Sequence, residues 1–220
     1  MRSYIKALIF DLDGTLADTI PAIAEAVNMT MEHLGFPTLT TDEVRVRIGK
    51  GPRHLIAESL PKEVSATEPH TVDKALEIYN RLYAKTYLNT NSLYEGLEDA
   101  IITLSKYYKI AVLSNKQDEY VQKLVNQLLP EGVCTIARGT VGSKPAKPSP
   151  DVLLQIIEEL GCSSYECVLI GDSDIDILTG KNADVDVISV SWGYVLKAKL
   201  ILKGAEEIVD SPAELLEYFK

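Results

Sequence analysis

The chain has 220 residues, with 32 acids against 22 bases and a formal net charge of −10. That balance argues against general nucleic-acid or anionic-membrane binding, both of which need basic surface to neutralise phosphates; a small anionic substrate held by a few local cations stays compatible with it. At 46% hydrophobic residues the chain can bury a substantial core, and its length suits one large domain or a domain carrying an insertion.

The first element is the apolar run Ile5 to Phe10, which reads as a buried strand and meets Asp11, Leu12, Asp13 and Gly14 at once. From 18 to 89 the pattern is helical, with no convincing strand. "DTIPAIAEAVNMTMEHLG" has Pro21 early, apolar Ile23, Val27, Met31 and Leu34, and Gly35 as a stop. "TTDEVRVRIG" opens on a Thr40…Glu43 capping-box pattern. "TVDKALEIYNRLYAKTYL" spaces Val72, Leu76, Tyr79 and Tyr83 along one face, an aromatic stripe read as packing surface rather than a ligand cage. Short apolar runs then return at 109–113, 132–137, 167–170 and 185–190, separated for the most part by amphipathic helical patterns. In the helix after "KPSPD", Ser149 is the expected N-cap, Pro150 opens the first turn and Gly161 ends it. The alternation predicts an α/β fold, a Rossmann-like doubly wound parallel sheet covered on both faces. The sheet domain is expected from 1–17 and 90–220, and an inserted helical subdomain from 18–89.

Cys134, Cys162 and Cys167 form no even framework and no zinc pattern, so three reduced and mostly buried thiols in a cytoplasmic protein are expected. No apolar run approaches a membrane span, and acids come too early for a signal-peptide apolar region.

Ligands of open parallel sheets bind beyond the carboxyl ends of the strands. Asp11 and Asp13 follow the first strand, Ser114, Asn115 and Lys116 the second, and Gly171, Asp172, Ser173 and Asp176 the "CVLI" run; "GSKPAKPSPD" adds Lys144 and Lys147. Clustered carboxylates repel one another unless a cation joins them, and all-oxygen ligands without His or Cys suit Mg2+. Asp11 and Asp13 are two apart on a strand exit and so can flank one reacting group, one as nucleophile and one as general acid and base. Singly each element has a plain structural reading: a capped helix for "GDSDID", a strand end for "LSN", a solvated surface lysine for Lys147. Their joint occurrence, in order and each at a strand exit, is the signal.

"DLDGTLADT", "LSNK", "KPSPD" and "IGDSDIDILTGKNA" together resemble the four signature elements of the haloacid-dehalogenase superfamily of aspartate-nucleophile phosphatases. The resemblance implies Asp11 as nucleophile, Asp13 as general acid and base, and Ser114, Asn115 and Lys147 around the phosphate. It implies Mg2+ held by Asp11, Asp172 and the backbone carbonyl of Asp13, supported by Asp176. It also implies a helical cap of the C1 type after the first motif. Asp13 favours phosphate-ester hydrolysis over dehalogenation, because an alkoxide leaving group needs a proton and a halide does not.

More narrowly, "IGKGPRHLI", "YAKTYLNTNSLYEGLEDAI", "LSNK" and "VISVSWGY" resemble the phosphoglycolate phosphatases, with Leu93 and Asp184 departing from the family's usual proline and glycine. That resemblance implies Lys50 and Arg53 as substrate-selecting cations. His54 is the one histidine of His33, His54 and His70 placed near that loop. The partner expected is a small-molecule phosphate ester, with the chain a monomer or homodimer. Rival readings are a phosphosugar mutase or a pyrophosphatase of the same superfamily, and a Mg2+-dependent phosphoacceptor signalling module.

Overall fold

The computed structural model describes residues 4–67, 69–88, 91–142 and 145–220. The chain divides into two compact units, one of residues 1–18 with 93–220 and the other of 19–92. Lys144, which the sequence placed beside Lys147, lies outside the described residues.

The first unit is built on a parallel sheet. Its strands are β1 (Ala7–Phe10), β4 (Lys109–Gln117), β5 (Cys134–Thr140), β6 (Cys167–Gly171), β7 (Asp186–Val190) and β8 (Glu207–Val209), in the order β5-β4-β1-β6-β7-β8. Two further short strands, β2 (Ala17–Asp18) and β3 (Ser92–Leu93), form a separate ribbon where the chain leaves and re-enters this unit. From β1 the chain builds β4 and β5 outward on one side and β6, β7 and β8 on the other. Strand order therefore reverses at β1, and the crevice beyond its carboxyl end is where such sheets bind ligands. The register aligns the exits: Phe10 stands beside Val112 of β4 and Ile170 of β6.

All four residues of β1 are fully buried, the reason its sequence is a continuous apolar run instead of an alternation. Ala7 and Ile9 pack on one face with Ala111, Leu113, Leu153, Ile156 and Leu169, so burial of large side chains at about 1.5–3 kcal/mol each anchors the central strands. The helices of this unit are α6 (Leu97–Leu104), α7 (Asp118–Leu128), α8 (Asp151–Glu159), α9 (Asp174–Ala183), α10 (Lys197–Leu202) and α11 (Pro212–Phe219). α8 begins later than its sequence suggests. Pro150 occupies the N-cap position, and the Ser149 hydroxyl donates to the Asp151 carboxylate instead of capping the helix. Of the cysteines only Cys167 is buried; Cys134 on the edge strand β5 and Cys162 in the loop before β6 are half-buried, because neither position is covered on all sides.

The second unit is helical: α1 (Ile20–Leu34), α2 (Thr41–Arg45), α3 (Pro52–Ser59), α4 (Lys62–Thr67) and α5 (Pro69–Thr86). Gly35 ends α1 in the left-handed conformation, and Thr40 with Glu43 forms the full capping box of α2. The tyrosine stripe is packing surface, as its spacing suggests. Tyr79, Tyr83 and Tyr87 are buried, and the rings of Tyr79 and Tyr83 stack with centroids 5.4 Å apart.

Candidate active site

The first unit brings Asp11, Asp13, Ser114, Asn115, Lys147, Asp172 and Asp176 to the carboxyl ends of β1, β4 and β6 and the loops beside them. The Asp11 backbone N–H continues the ladder to the Ile170 carbonyl (2.8 Å), which fixes its side chain at the strand exit. Its Oδ1 accepts from the Leu12 N–H (2.7 Å) and faces Lys147 Nζ at 2.7 Å. The same ammonium stands 2.7 Å from Asp176 Oδ1, so one buried lysine joins the first strand to the start of α9.

Asp176 has two tasks. Its Oδ2 accepts from the N–H and hydroxyl of Ser173, completing the capping box of α9, while Oδ1 receives Lys147. The plain reading of "GDSDID" as a helix cap holds at this residue, and the same carboxylate also reaches the buried Lys147. Asp172 is held just as firmly: Thr15 Oγ1 donates to Oδ1 (3.0 Å) and the Tyr194 N–H to Oδ2 (2.7 Å). Two glycines make room for it. A Cβ on Gly14, whose φ is +89°, would lie 2.5 Å from Asp172 Oδ2; one on Gly193 would lie 2.3 Å from Asp172 Cβ.

Asn115 meets Lys147 rather than open space. Its Nδ2 donates to the Lys147 carbonyl (2.9 Å) and its Oδ1 accepts from the Lys147 N–H (2.8 Å). Read from the sequence as a phosphate-binding residue, it serves here to fix the backbone of the lysine beside Asp11. Ser114 is buried, and its Oγ accepts from the Lys116 N–H at 3.2 Å.

Asp13 Oδ1 lies 2.9 Å from Lys116 Nζ, and both side chains are largely buried. Sequence reasoning placed Lys116 and Ser173 at strand exits without giving either a role, and it assigned none to Thr15 or to the Trp192–Tyr194 turn. Trp192 Nε1 donates to the Thr15 carbonyl (3.0 Å), so this turn braces the loop after β1 as well as Asp172. "VISVSWGY" contained that turn, with a glycine where only glycine fits.

Lys50 and Arg53 lie in the second unit. Both are exposed, and Arg53 pairs with Asp73 at 3.0 Å. Gly51 is the N-cap of α3 and Pro52 its first residue.

Carboxylate oxygens of Asp11, Asp172 and Asp176 lie within 4.8 Å of one another, all three residues buried. Burial, with the charge of Asp176 next, pushes Asp172 up to about 7. Asp11 is raised well above the usual carboxylate range by burial, against the opposing pull of Lys147 and with Asp176 and Asp172 adding to the rise. Burial alone would lower the Lys147 ammonium, but Asp11 and Asp176 outweigh it and raise it. Three buried carboxylates against one ammonium leave an excess of two negative charges when all are ionised, and a divalent cation matches that excess. The donor set is entirely oxygen, which fits Mg2+. Both carboxylate oxygens of Asp176 are engaged, by Lys147 and Ser173, and both of Asp172, by Thr15 and Tyr194, whereas the contacts of Asp11 fall on Oδ1 and leave Oδ2 the best placed to touch such an ion.

The sequence model of the family described as haloacid dehalogenase-like hydrolase matches residues 8–190. A phosphoglycolate phosphatase of Psychrobacter arcticus is 30% identical over 97% of this chain and 95% of its own. One from Aquifex aeolicus is 34% identical over 87% of each. Among solved structures, a candidate phosphoglycolate phosphatase of Lactobacillus delbrueckii subsp. bulgaricus superposes with a TM-score of 0.87 at 33% identity, covering 97% of both chains.

Proposed function

The chain belongs to the haloacid dehalogenase-like hydrolases and is a phosphatase, and from that premise we propose that it is a Mg2+-dependent phosphomonoester hydrolase that works through an aspartyl-phosphate on Asp11 and takes 2-phosphoglycolate as its substrate. The observation that carries the mechanism is the pairing of Asp11 with Lys147 at 2.7 Å while Asp13, two residues on, is held separately by Lys116. The substrate is supported by the full-length relatives that bear the name phosphoglycolate phosphatase.

Asp11 attacks phosphorus as the bond to the ester oxygen breaks, and Asp13 gives its proton to the departing alkoxide. Asp13 then takes a proton from water as that water attacks the aspartyl-phosphate, releasing phosphate and regenerating Asp11. Lys147 neutralises charge on Asp11 and on the phosphoryl oxygens, Ser114 donates to the phosphate, and Asn115 keeps Lys147 in place. When bound by Asp11, Asp172 and the Asp13 carbonyl, with Asp176 behind them, Mg2+ supplies the positive charge that offsets repulsion between an anionic nucleophile and an anionic ester. Lys50 and Arg53 belong to this reading as cations that select substrate from the helical unit, residues 18–89 being the cap.

No helix among the described residues is long and apolar enough to cross a membrane. We place the enzyme in the cytoplasm, as a monomer or homodimer acting on a small molecule.

The test is phosphate release from 2-phosphoglycolate, sugar phosphates, nucleotides and pyrophosphate, with and without Mg2+, for the wild type and Asp11→Asn. We expect Mg2+-dependent release that is greatest for 2-phosphoglycolate, and no turnover by a folded Asp11→Asn protein. Isomerised sugar phosphate in place of free phosphate would make the chain a mutase instead.

A further inference from the structure

A buried lysine to which the phosphoryl chemistry gives no role stands beside the proposed general acid. Lys116 closes the polar end of β4, its side chain is 7% exposed, and its ammonium lies 2.9 Å from Asp13 Oδ1. Burying a long cationic side chain is costly unless its charge is used. Lys147 already serves Asp11 and Asp176, so the two lysines divide the site into a phosphoryl side and a leaving-group side.

We propose that Lys116 is a specificity-determining cation for the leaving group in addition to Lys50 and Arg53, binding the carboxylate that a 2-phosphoglycolate-like ester carries next to its bridging oxygen. The inference rests on the reading of Asp13 as the acid that protonates that oxygen. To do so, Asp13 must lie within hydrogen-bond reach of the oxygen. In an O–CH2–COO⁻ group the carboxylate oxygens follow within about 3 Å of it by ordinary bond lengths. A substrate carboxylate there sits close to Asp13, and once Asp13 has given up its proton the two carboxylates repel each other at that spacing. Lys116, with its ammonium 2.9 Å from Asp13 Oδ1, brings the opposite charge to that side of Asp13. An ammonium carries three donors and can hold Asp13 and a second carboxylate together. Gly139 lets the β5 backbone close over this lysine: a Cβ there would come within 2.4 Å of the Lys116 carbonyl. The lysine backbone is thus packed against its neighbouring strand, and its position is fixed before substrate arrives.

The test compares 2-phosphoglycolate with 2-hydroxyethyl phosphate, which replaces the carboxylate by a neutral alcohol, in the wild type, Lys116→Gln and Lys116→Arg. The readout is the ratio of kcat/KM for the two esters within each protein, which does not depend on how much of a variant folds. A charge-assisted contact predicts that Lys116→Gln lowers this ratio by about 10- to 100-fold, mostly through KM for 2-phosphoglycolate, and that Lys116→Arg recovers part of it. An equal loss on both esters would overturn the proposal and leave Lys116 as a positioning residue for Asp13. A wild type that prefers neither ester would instead refute the substrate reading on which the proposal stands.

Discussion

Asn115 and Lys147 hold each other by two hydrogen bonds, from Asn115 Nδ2 to the Lys147 carbonyl and from the Lys147 N–H to Asn115 Oδ1, at 2.9 and 2.8 Å. The side chain of Lys147 faces Asp11, so this backbone clamp sets where the ammonium can stand. Asn115→Ala removes both partners and leaves a buried N–H and carbonyl unmatched, at a cost of about 1–3 kcal/mol in stability. A displacement of about 1 Å at a reacting group costs up to about 100-fold in rate. We expect kcat to fall by about 10- to 100-fold, with a smaller change in KM, and the melting temperature to drop. Steady-state kinetics with a thermal melt checks both. A variant with wild-type kcat would show that the clamp does not position Lys147.

Gly14 offers a second check on the acid cluster. Its φ of +89° and the 2.5 Å between a would-be Cβ and Asp172 Oδ2 both oppose a side chain. Gly14→Ala therefore strains the backbone by about 1–3 kcal/mol and pushes Asp172 away from Thr15 and Tyr194. The expected result is a higher Mg2+ concentration for half-maximal activity, together with lower stability. A Mg2+ titration unchanged from wild type would disprove the coupling.

How much of this was readable in the sequence depended on the distance over which each feature is decided. β1, β4, β6 and β7 announce themselves because strands buried on both faces must be continuously apolar, and the site acids follow directly after two of these runs, β1 and β6. β8 does not: Glu207 to Val209 is three residues long, half exposed and flanked by acids, so no window of apolar residues marks it. β4 also runs on to Gln117, past its apolar run: Gln117 pairs with Thr140 of β5 after a register shift, while Asn115 and Lys116 find polar partners in loops from elsewhere in the chain. Those partners are the illegible part. That Lys116 meets Asp13, or that Asn115 meets the Lys147 backbone, follows from the three-dimensional approach of segments that are distant in the chain. Local pattern carries no trace of it. For the same reason the sequence gave Asn115 a place at the phosphate but no hint that its amide also holds Lys147.

The acid cluster makes the stability of the metal-free protein depend on pH in an unusual sense. Asp172 rises from an unfolded value of 3.8 to about 7, and Asp11 is raised as well. Between those values the folded state holds more protons than the unfolded state, so its stability falls as pH rises through that window. Each extra proton held by the folded state contributes a slope of about 1.4 kcal/mol per pH unit. Glu43, Glu166 and Asp210 are lowered and act in the opposite sense, but only below their ordinary values near 4. The raised Lys147 keeps its stabilising effect up to its unfolded value of 10.5, so it contributes no slope here. Without divalent metal the melting temperature should therefore decline from pH 5.5 to 8. Mg2+, which binds ionised carboxylates of the native state, should raise it more at pH 8 than at 5.5. Melts at both pH values, with EDTA and with excess Mg2+, check this, and a metal-induced rise that is larger at the acidic end would contradict it.

Asp172→Asn separates the charge of this residue from its packing. An asparagine of the same shape can turn its oxygen to the Tyr194 N–H and its NH2 to the Thr15 hydroxyl, which rotates to accept, so both contacts of Asp172 keep a partner. One buried negative charge is gone, and with it part of the repulsion from Asp11 and Asp176 that raises the cluster. The metal-free variant should therefore melt above the metal-free wild type at pH 8, and lose the part of the decline with rising pH that Asp172 contributes. The same change withdraws a charged ligand from the proposed Mg2+ site, so the Mg2+-induced rise in melting temperature should shrink. Phosphate release should fall by at least about 100-fold, the scale expected when a preorganised electrostatic contact is lost from the reacting group. A variant that gains stability and loses activity assigns the charge of Asp172 to the metal and the reaction. One that keeps near-wild-type, Mg2+-dependent turnover would remove Asp172 from the ligand set.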